Sequence, residues 1–332
     1  MGPAGRLRSA AALVGLFVLL SWCPAAVFAQ TATSTLYLEA RDQTGAVLPD
    51  VEVRLVNQAT GLARLVTTGG QGTAVVPMLA AGTYTASATH AGFKTEVVTD
   101  LRLDAGGKGT LDLVLVAGDF ADRITVSADA NPLRASSGAL GESFEGRTLV
   151  MMPVEQRDFL QFTYQSPGAT PPAPGSRLSS EGNNSGVNVS GSREAANNFL
   201  VDGTDNNDRF LNRLVVTPSL DAIQQFTVVQ NTYDAEYGRN AGAQVNVVLK
   251  SGASRTQGSL FEYFRHESLD ARGVFDLAGE PTPLYRRNQF GGTVGGPIPK
   301  LPGFYFVSLE GQRTRDAETR AADVPTGEVT RF

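Results

Sequence analysis

Three groups of residues in this sequence have types and spacings that invite chemistry. They are an acidic run at Asp202, Asp205 and Asp208, a glycine-rich run from Gly291 to Gly296, and a short β-prone run, Asp122-Arg123-Ile124-Thr125-Val126-Ser127-Ala128. The aspartates suggest calcium, but a calcium loop alternates its oxygen ligands around a central glycine, and this spacing provides neither. Turn and capping roles account for the carboxylates better. The glycines are not a dinucleotide fingerprint, because the G-x-G-x-x-G spacing fails and Pro297 breaks any helix that would follow. Catalysis lacks its parts: only His90 and His266 are available, no serine-centred nucleophile motif occurs, and the one cysteine is Cys23. The sequence therefore predicts no enzyme, no metal and no cofactor. What the β-prone run can do is add as a strand to the edge of a partner's sheet. On local pattern alone it is equally a further strand of the domain that precedes it.

The elements that must position these residues begin after an export signal. Arg6 and Arg8 form a cationic start, Ala10 to Leu20 an apolar stretch, and Val27-Phe28-Ala29 a small-residue site. Cleavage is expected between Ala29 and Gln30, giving residues 1–29 as a signal peptide. Cys23 lies inside that signal, with bulky Trp22 before it, so lipidation is not expected and the mature chain has no thiol chemistry. A net charge of -5 lacks the basic excess of a nucleic-acid binder, so no nucleic-acid partner is expected.

From residue 30 to 117 short strands of period two are punctuated by Gly, Asp, Asn and Pro, as at Leu36, Leu38 and Ala40 or Leu111, Leu113 and Leu115. About seven such strands predict a two-sheet sandwich, with Tyr37, Tyr84 and Phe93 in its core. Asp42-Gln43-Thr44-Gly45-Ala46-Val47-Leu48-Pro49-Asp50-Val51-Glu52-Val53, with Leu79 to Tyr84 and Ala91 to Lys94, resembles the carboxypeptidase regulatory-like domain. That resemblance implies a prealbumin-like, Ig-like sandwich of carbohydrate-binding-like fold, without peptidase activity. Residues 118–138 lose the alternation and predict a linker. Within it, Ile124, Thr125, Val126, Ser127 and Ala128 resemble a TonB box, which implies a TonB-type energy-coupling protein as partner.

Residues 139–253 resemble the plug domain of Oar-like TonB-dependent receptors. The resemblance is carried in order by Met152-Pro153, Arg157-Asp158-Phe159, Ser166-Pro167-Gly168, Val187 to Arg193, Asn197-Asn198-Phe199-Leu200-Val201-Asp202-Gly203, Asp221 to Phe226, Ala235-Glu236-Tyr237-Gly238 and Lys250-Ser251-Gly252. Gln225 stands where such receptors more often carry Glu. Read without the resemblance, Phe199 to Val201 is a strand entering a turn at Asp202-Gly203, Phe226 to Val229 and Val245 to Val248 are strands, and Leu149 to Phe162 has helical spacing. A mixed α/β domain is expected, with Pro167 to Asn184 as a mobile loop.

Residues 254–332 turn to aromatic-rich strands at Gly258 to His266, Asn288 to Gly296 and Gly303 to Arg313, each near the 9 to 11 residues or so of a membrane strand. Gly291 to Ile298 and Phe304 to Gly311 resemble an early barrel hairpin of the same receptors. Phe261 and Phe264 have opposite parity, leaving the lipid side open. The fold class is thus mainly β and multidomain: a sandwich, a mixed α/β plug and the first antiparallel strands of a transmembrane β-barrel. About three strands against the roughly 22 of a plugged transporter predict a fragment or truncated product. The resemblance implies an outer-membrane receptor with a periplasmic N-terminal domain, for energy-coupled uptake of a small-molecule, oligosaccharide or peptide ligand. The alternative is a secreted or surface adhesion protein that binds through the sandwich, including binding of carbohydrate.

Overall fold

The computed structural model describes residues 33–119, 122–127, 134–135, 140–152, 154, 157–172, 186–231, 233, 237–271, 282 and 284–316. The expected signal and its cleavage site, Ala128, Glu236 and most of the loop after Pro167 lie outside these residues.

The first domain is the expected sandwich. Its strands are β1 (Thr33–Asp42), β2 (Glu52–Asn57), β3 (Ala63–Thr67), β4 (Thr73–Ala80), β5 (Gly82–Thr89), β6 (Thr95–Leu103) and β7 (Lys108–Leu115). Alternation decides the faces: Leu36, Leu38 and Ala40 of one sheet meet Val53, Leu55, Ala86 and Ala88 of the other, and Leu111, Leu113 and Leu115 complete the interior. Tyr84 is buried and its hydroxyl donates to the Ala80 carbonyl at 2.9 Å, whereas Tyr37 is 36% exposed. Tyr37 alternates with the core residues Leu36 and Leu38, so the pleat turns it outward and corrects its expected place in the core.

The sandwich does not stop at residue 117. Two further strands, β8 (Arg123–Ser127) and β9 (Arg134–Ala135), arise within the expected linker. The sheets run β4-β1-β7-β9 and β3-β2-β5-β6-β8, with β8 parallel to β6 and β9 antiparallel to β7. The reason is the edge of β6. Thr95, Glu96, Val97 and Val98 are buried there, and a bare edge would leave their backbone groups unpaired.

The middle domain holds β10 (Leu140–Glu145), helix α1 (Gly146–Met151), β11 (Ala169–Thr170), β12 (Asn188–Val189), β13 (Asn198–Val201), β14 (Thr204–Asp205), β15 (Ile223–Asn231) and β16 (Gln244–Leu249). Its sheet order is β10-β15-β16-β13-β14. The helical spacing over Leu149 to Phe162 resolves into the single turn and a half of α1 and a separate 3-10 segment, Phe159–Gln165. Phe144, Phe159, Phe162 and Phe226 pack together under the sheet, Phe159 meeting Phe226 edge-on at 5.5 Å. Asp202 (φ 49°) and Gly203 (φ 77°) both take the left-handed conformation of a two-residue hairpin turn, pairing Val201 with Thr204.

The third sheet contains β17 (Gln257–His266), β18 (Tyr285–Pro297) and β19 (Phe304–Asp316), antiparallel throughout. Register places Leu260, Phe264, Phe290, Val294, Val307 and Leu309 on one face, and all are exposed, Leu260 by 93%. Ser259, Phe261, Tyr263, Gln289, Thr293 and Glu310 occupy the other face. Phe261 and Phe264 therefore lie on opposite faces, Phe264 on the exposed face with Leu260 and Phe290, and Phe261 on the face that carries Ser259, Gln289, Thr293 and Glu310.

Glu96 is the exception in the sandwich. It is 6% exposed, its Oε2 has no hydrogen-bond partner, and burial pushes its carboxyl up to about 7, opposed only by a backbone hydrogen bond from Val114. Because the folded-state value lies above the ordinary one near 4.5, the folded chain keeps a proton that the unfolded chain releases. Stability should fall as pH rises from about 4.5 to about 7 and then level off, by an amount on the order of 3 kcal/mol. Glu96→Gln is expected to remove that slope, checked by thermal unfolding of both chains between about pH 5 and pH 8.

Candidate functional site

Ile124 to Ser127, four of the five residues of the candidate coupling segment, lie in β8. Pairing with β6 is regular from Thr95↔Arg123 to Thr99↔Ser127. Ile124 and Val126 are half-buried while Arg123, Thr125 and Ser127 are exposed, so the strand lies on the surface and buries no side chain fully. Its entry is fastened by Thr95 N–H donating to the Asp122 carbonyl at 2.9 Å and by Lys94 Nζ against Asp122 Oδ2 at 2.9 Å.

The middle-domain residues separate into distinct jobs. In Arg157-Asp158-Phe159, Phe159 enters the core and Asp158 Oδ1 caps the 3-10 segment through Leu160 N at 3.0 Å. Arg157 (φ 53°) forms a buried ion pair with Asp221, the two side chains being 10% and 9% exposed. Its guanidinium also lies over the rings of Phe261 at 4.9 Å and Tyr263 at 4.1 Å. Lys250 Nζ donates to the Asp221 carbonyl at 2.7 Å, and burial lowers the Lys250 pKa against the raising effect of the Asp221 charge. Ser259 Oγ approaches Asp221 Oδ1 at 3.5 Å and Ser219 Oγ donates to Glu310 Oε2 at 2.6 Å. Arg157 and Lys250 are thus brought together at one joint, where the middle domain meets the inner face of the third sheet. Gly252 completes it. A Cβ there would collide with the Tyr305 carbonyl and come within 2.7 Å of the Gly296 carbonyl, so only glycine permits this approach.

Asn198 does not join that group. It is buried in an amide network, donating to Gln244 Oε1 at 2.8 Å and accepting from Asn207 Nδ2 at 2.8 Å. The three aspartates face different partners: Asp202 Oδ1 accepts from Leu249 N at 2.9 Å, Asp205 pairs with Arg239, and Asp208 Oδ1 caps Phe210 and Leu211 at 2.6 and 2.9 Å. Burial raises the Asp202 pKa, which that one hydrogen bond only partly opposes. The run is turn and capping chemistry spread over three local structures.

A second joint connects the sandwich to the middle domain. Gln225 Nε2 donates to Asp104 Oδ1 and to Ser143 Oγ, both at 2.7 Å, while its Oε1 accepts from Ala105 N at 3.0 Å. Gln224 donates to the Ala81 carbonyl at 3.1 Å, and Arg102 pairs with Glu145 at 2.7 Å. Tyr237 belongs here too, its hydroxyl lying 2.7 Å from where a Cβ on Gly106 would stand. Gly238 is exposed nearby in sequence, and Ser251 is exposed on a cavity of about 1020 Å³ that Arg102, Glu145 and Gln224 also line. The contact is therefore a clasp of discrete polar bonds beside open space. Its key residues were legible only as parts of motifs: Asp104 carried no signal, and Gln225 showed only as a departure from Glu. The structure supplies the reason for that departure, because a carboxylate at 225 would face Asp104 with like charge.

Residues 35–116 match the carboxypeptidase regulatory-like domain family, and residues 248–331 match the outer membrane beta barrel domain family. These ranges take in most of β1, all of β2 to β7, and β17 to β19. Over 310 residues, 89% of this chain, the sequence is 25% identical to the TonB-dependent transporter Oar of Myxococcus xanthus, of whose length the chain spans 28%. Among solved structures, the siderophore receptor PirA from Acinetobacter baumannii superposes with a TM-score of 0.36 and 19% identity, covering 53% of this chain and 24% of that one. A catechol 1,2-dioxygenase A72G mutant from Acinetobacter radioresistens gives a TM-score of 0.23 and 11% identity over 30% of this chain and 58% of that one.

Substitutions at two positions test the joints. Arg157→Ala leaves the buried Asp221 carboxylate without its guanidinium and should cost about 3 kcal/mol. Arg157→Lys should recover only part of this, since the planar fork and ring stacking are lost; urea unfolding of the middle domain reads both. Gln225→Glu should weaken the clasp by about 1–2 kcal/mol, seen as faster hydrogen exchange at Ala105 with the sandwich interior unchanged.

Proposed function

We propose that this chain, an Oar-like TonB-dependent outer-membrane receptor by its matched domains and sequence relationship, supplies the coupling and gating parts of a transporter for energised solute uptake. The observation that carries this reading is the two-faced third sheet. Its outer face offers Leu260, Phe264, Phe290, Val307 and Leu309, and its inner face holds the middle domain through Arg157 and Asp221. That supports reading the sheet as part of a barrel wall and the middle domain as a plug. A ten-residue strand such as β17 is roughly 33 Å long and covers roughly 24 Å when tilted about 45°, enough for an outer-membrane apolar band.

The turns support one orientation in this reading. The short connection from Ile298 to Gly303 lies at the end where Gly252 packs, and Ser254 N donates there to Ala59 of the sandwich at 3.0 Å. Short turns mark the periplasmic rim of such barrels. In this reading the signal of residues 1–29 exports the chain, the sandwich sits in the periplasm, and residues 139–253 form the plug. Ile124 to Ala128 is the segment that a TonB-type protein engages. The solute is a small molecule, an oligosaccharide or a peptide bound on the outer side. The curated relative is a TonB-dependent transporter, which favours transport over catalysis, and an adhesin built on the sandwich would leave the two-faced sheet without a purpose.

The complete receptor, screened against ferric siderophores, oligosaccharides and peptides, should take up one class in a manner that collapses with the proton gradient. Deleting Ile124 to Ala128 should abolish that uptake while the receptor stays in the outer membrane and still binds solute. Uptake that continues after the deletion would sink the coupling role.

A further inference from the structure

We infer that the sandwich is a second closure of the solute path, seated against the middle domain and the short-turn end of the third sheet, and that solute leaves only when the sandwich parts from both. The inference rests on reading the third sheet as barrel wall and the middle domain as plug, and it concerns what lies below the plug.

Two contacts set the sandwich across that end. On the plug side, Gln225 and Val248 are cross-strand partners on the sheet face opposite Phe226 and Val247. The sandwich covers them: Val248 packs with Ala81 and Ala105, while Gln225 bonds to Asp104 and Ala105. On the wall side, Asn57 Oδ1 accepts from Ala59 N and Thr60 N, both at 3.0 Å, and so fixes the turn that follows β2. From that turn the Ala59 carbonyl accepts Ser254 N at 3.0 Å, just before β17 begins.

Between these contacts lies the cavity. Its wall side includes Gln257, Ser259, Thr293, Gly295, Phe304 and Phe306, all of them on the inner face by register. The plug borders it at Gln224, Lys250 and Ser251, and the sandwich borders it from Met78 to Thr83. At about 1020 Å³ it equals the largest of small-molecule sites, which run from roughly 300 to 1,000 Å³. A solute that moves along the inner wall past a displaced plug arrives in this space. Its way on is covered for as long as the sandwich keeps its bonds to Ser254 and Gln225.

Those bonds are of a kind that can open. The plug meets the wall through a buried ion pair stacked on two rings, whereas the sandwich is held by separate hydrogen bonds and by the partly exposed Arg102–Glu145 pair. Water replaces bonds of the second kind at little cost. Their loss also leaves the sandwich interior around Leu36, Leu55 and Leu113 intact, so the domain can part as a body without unfolding.

A reversible lock tests this on the full-length receptor. Residues joined by a backbone hydrogen bond have Cα atoms about 5.5 Å apart, within disulfide reach. Ala59→Cys with Ser254→Cys, in a background lacking other cysteines, therefore pins the sandwich to the wall when oxidised. The probes are a ferric siderophore, an oligosaccharide and a peptide for uptake, and the periplasmic domain of the TonB-type protein for coupling. The oxidised receptor should bind solute and coupling protein as its reduced form does, while energised uptake falls about tenfold or more and returns on reduction. Equal uptake by the two forms would overturn the inference, because a sandwich fixed to the wall would then be no obstacle. If the lock does not form, Ala105 decides in the unlocked receptor. It is 7% exposed beneath Gln225, so Ala105→Cys should react with a membrane-impermeant maleimide several-fold faster during energised uptake than after the gradient is collapsed. A labelling rate that ignores the gradient would equally overturn it. Absence of gradient-driven uptake in the reduced and the unmodified receptor alike sinks the parent reading instead.

Discussion

The Asp221 carboxylate is buried where three stretches of chain converge, and it needs a cation there. Arg157 supplies it from a left-handed backbone position, with Phe261 and Tyr263 stacked beside the guanidinium. A buried carboxylate without such a partner would pay a desolvation penalty of several kcal/mol, so the ion pair and its aromatic walls must assemble together. Arg157 comes from the segment before the 3-10 turn and Asp221 from the approach to β15, and it is the stacking of the paired guanidinium on the rings of β17 that joins the middle domain to the third sheet. Gly252 then allows the backbones to approach as closely as the pair requires.

The opposite side of the middle domain is joined by softer means. Amide hydrogen bonds at Gln224 and Gln225 and one partly exposed ion pair hold the sandwich, next to a cavity of about 1020 Å³. Polar bonds that water can replace are worth about 1 kcal/mol each, whereas the buried joint resists separation as a unit. The middle domain is therefore gripped firmly by the wall and loosely by the sandwich. Under the proposed function, that asymmetry would suit a plug that stays seated while the sandwich transmits a pull.

Strand edges explain what the linker became. Residues 118–138 have the composition of a tether, and their short apolar runs are too brief to form a sheet alone. Beside β6 and β7, which have edges to satisfy, the same runs become β8 and β9. Coupling segment and terminal strand are two readings of one stretch, and the structure shows the strand.

Period-two alternation and turn residues are local, so the sequence by itself determined the sandwich strands, the Asp202-Gly203 hairpin and the three strands after Ser254. Motif order also made the three-part organisation and its receptor resemblance legible. Only the tertiary structure decided which polar residues meet. Arg157 and Lys250 stand far apart in the chain yet share Asp221, Gln225 finds Asp104, and Asn198 turns away into an amide network. It also decided that Tyr37 faces out, that the face of Phe264 rather than that of Phe261 is the exposed one, and that Ile124 to Ser127 lie in a sheet. The physical reason is common to all of these. Burial, ion pairing and edge completion depend on what arrives from elsewhere in the chain, and no local pattern carries that information.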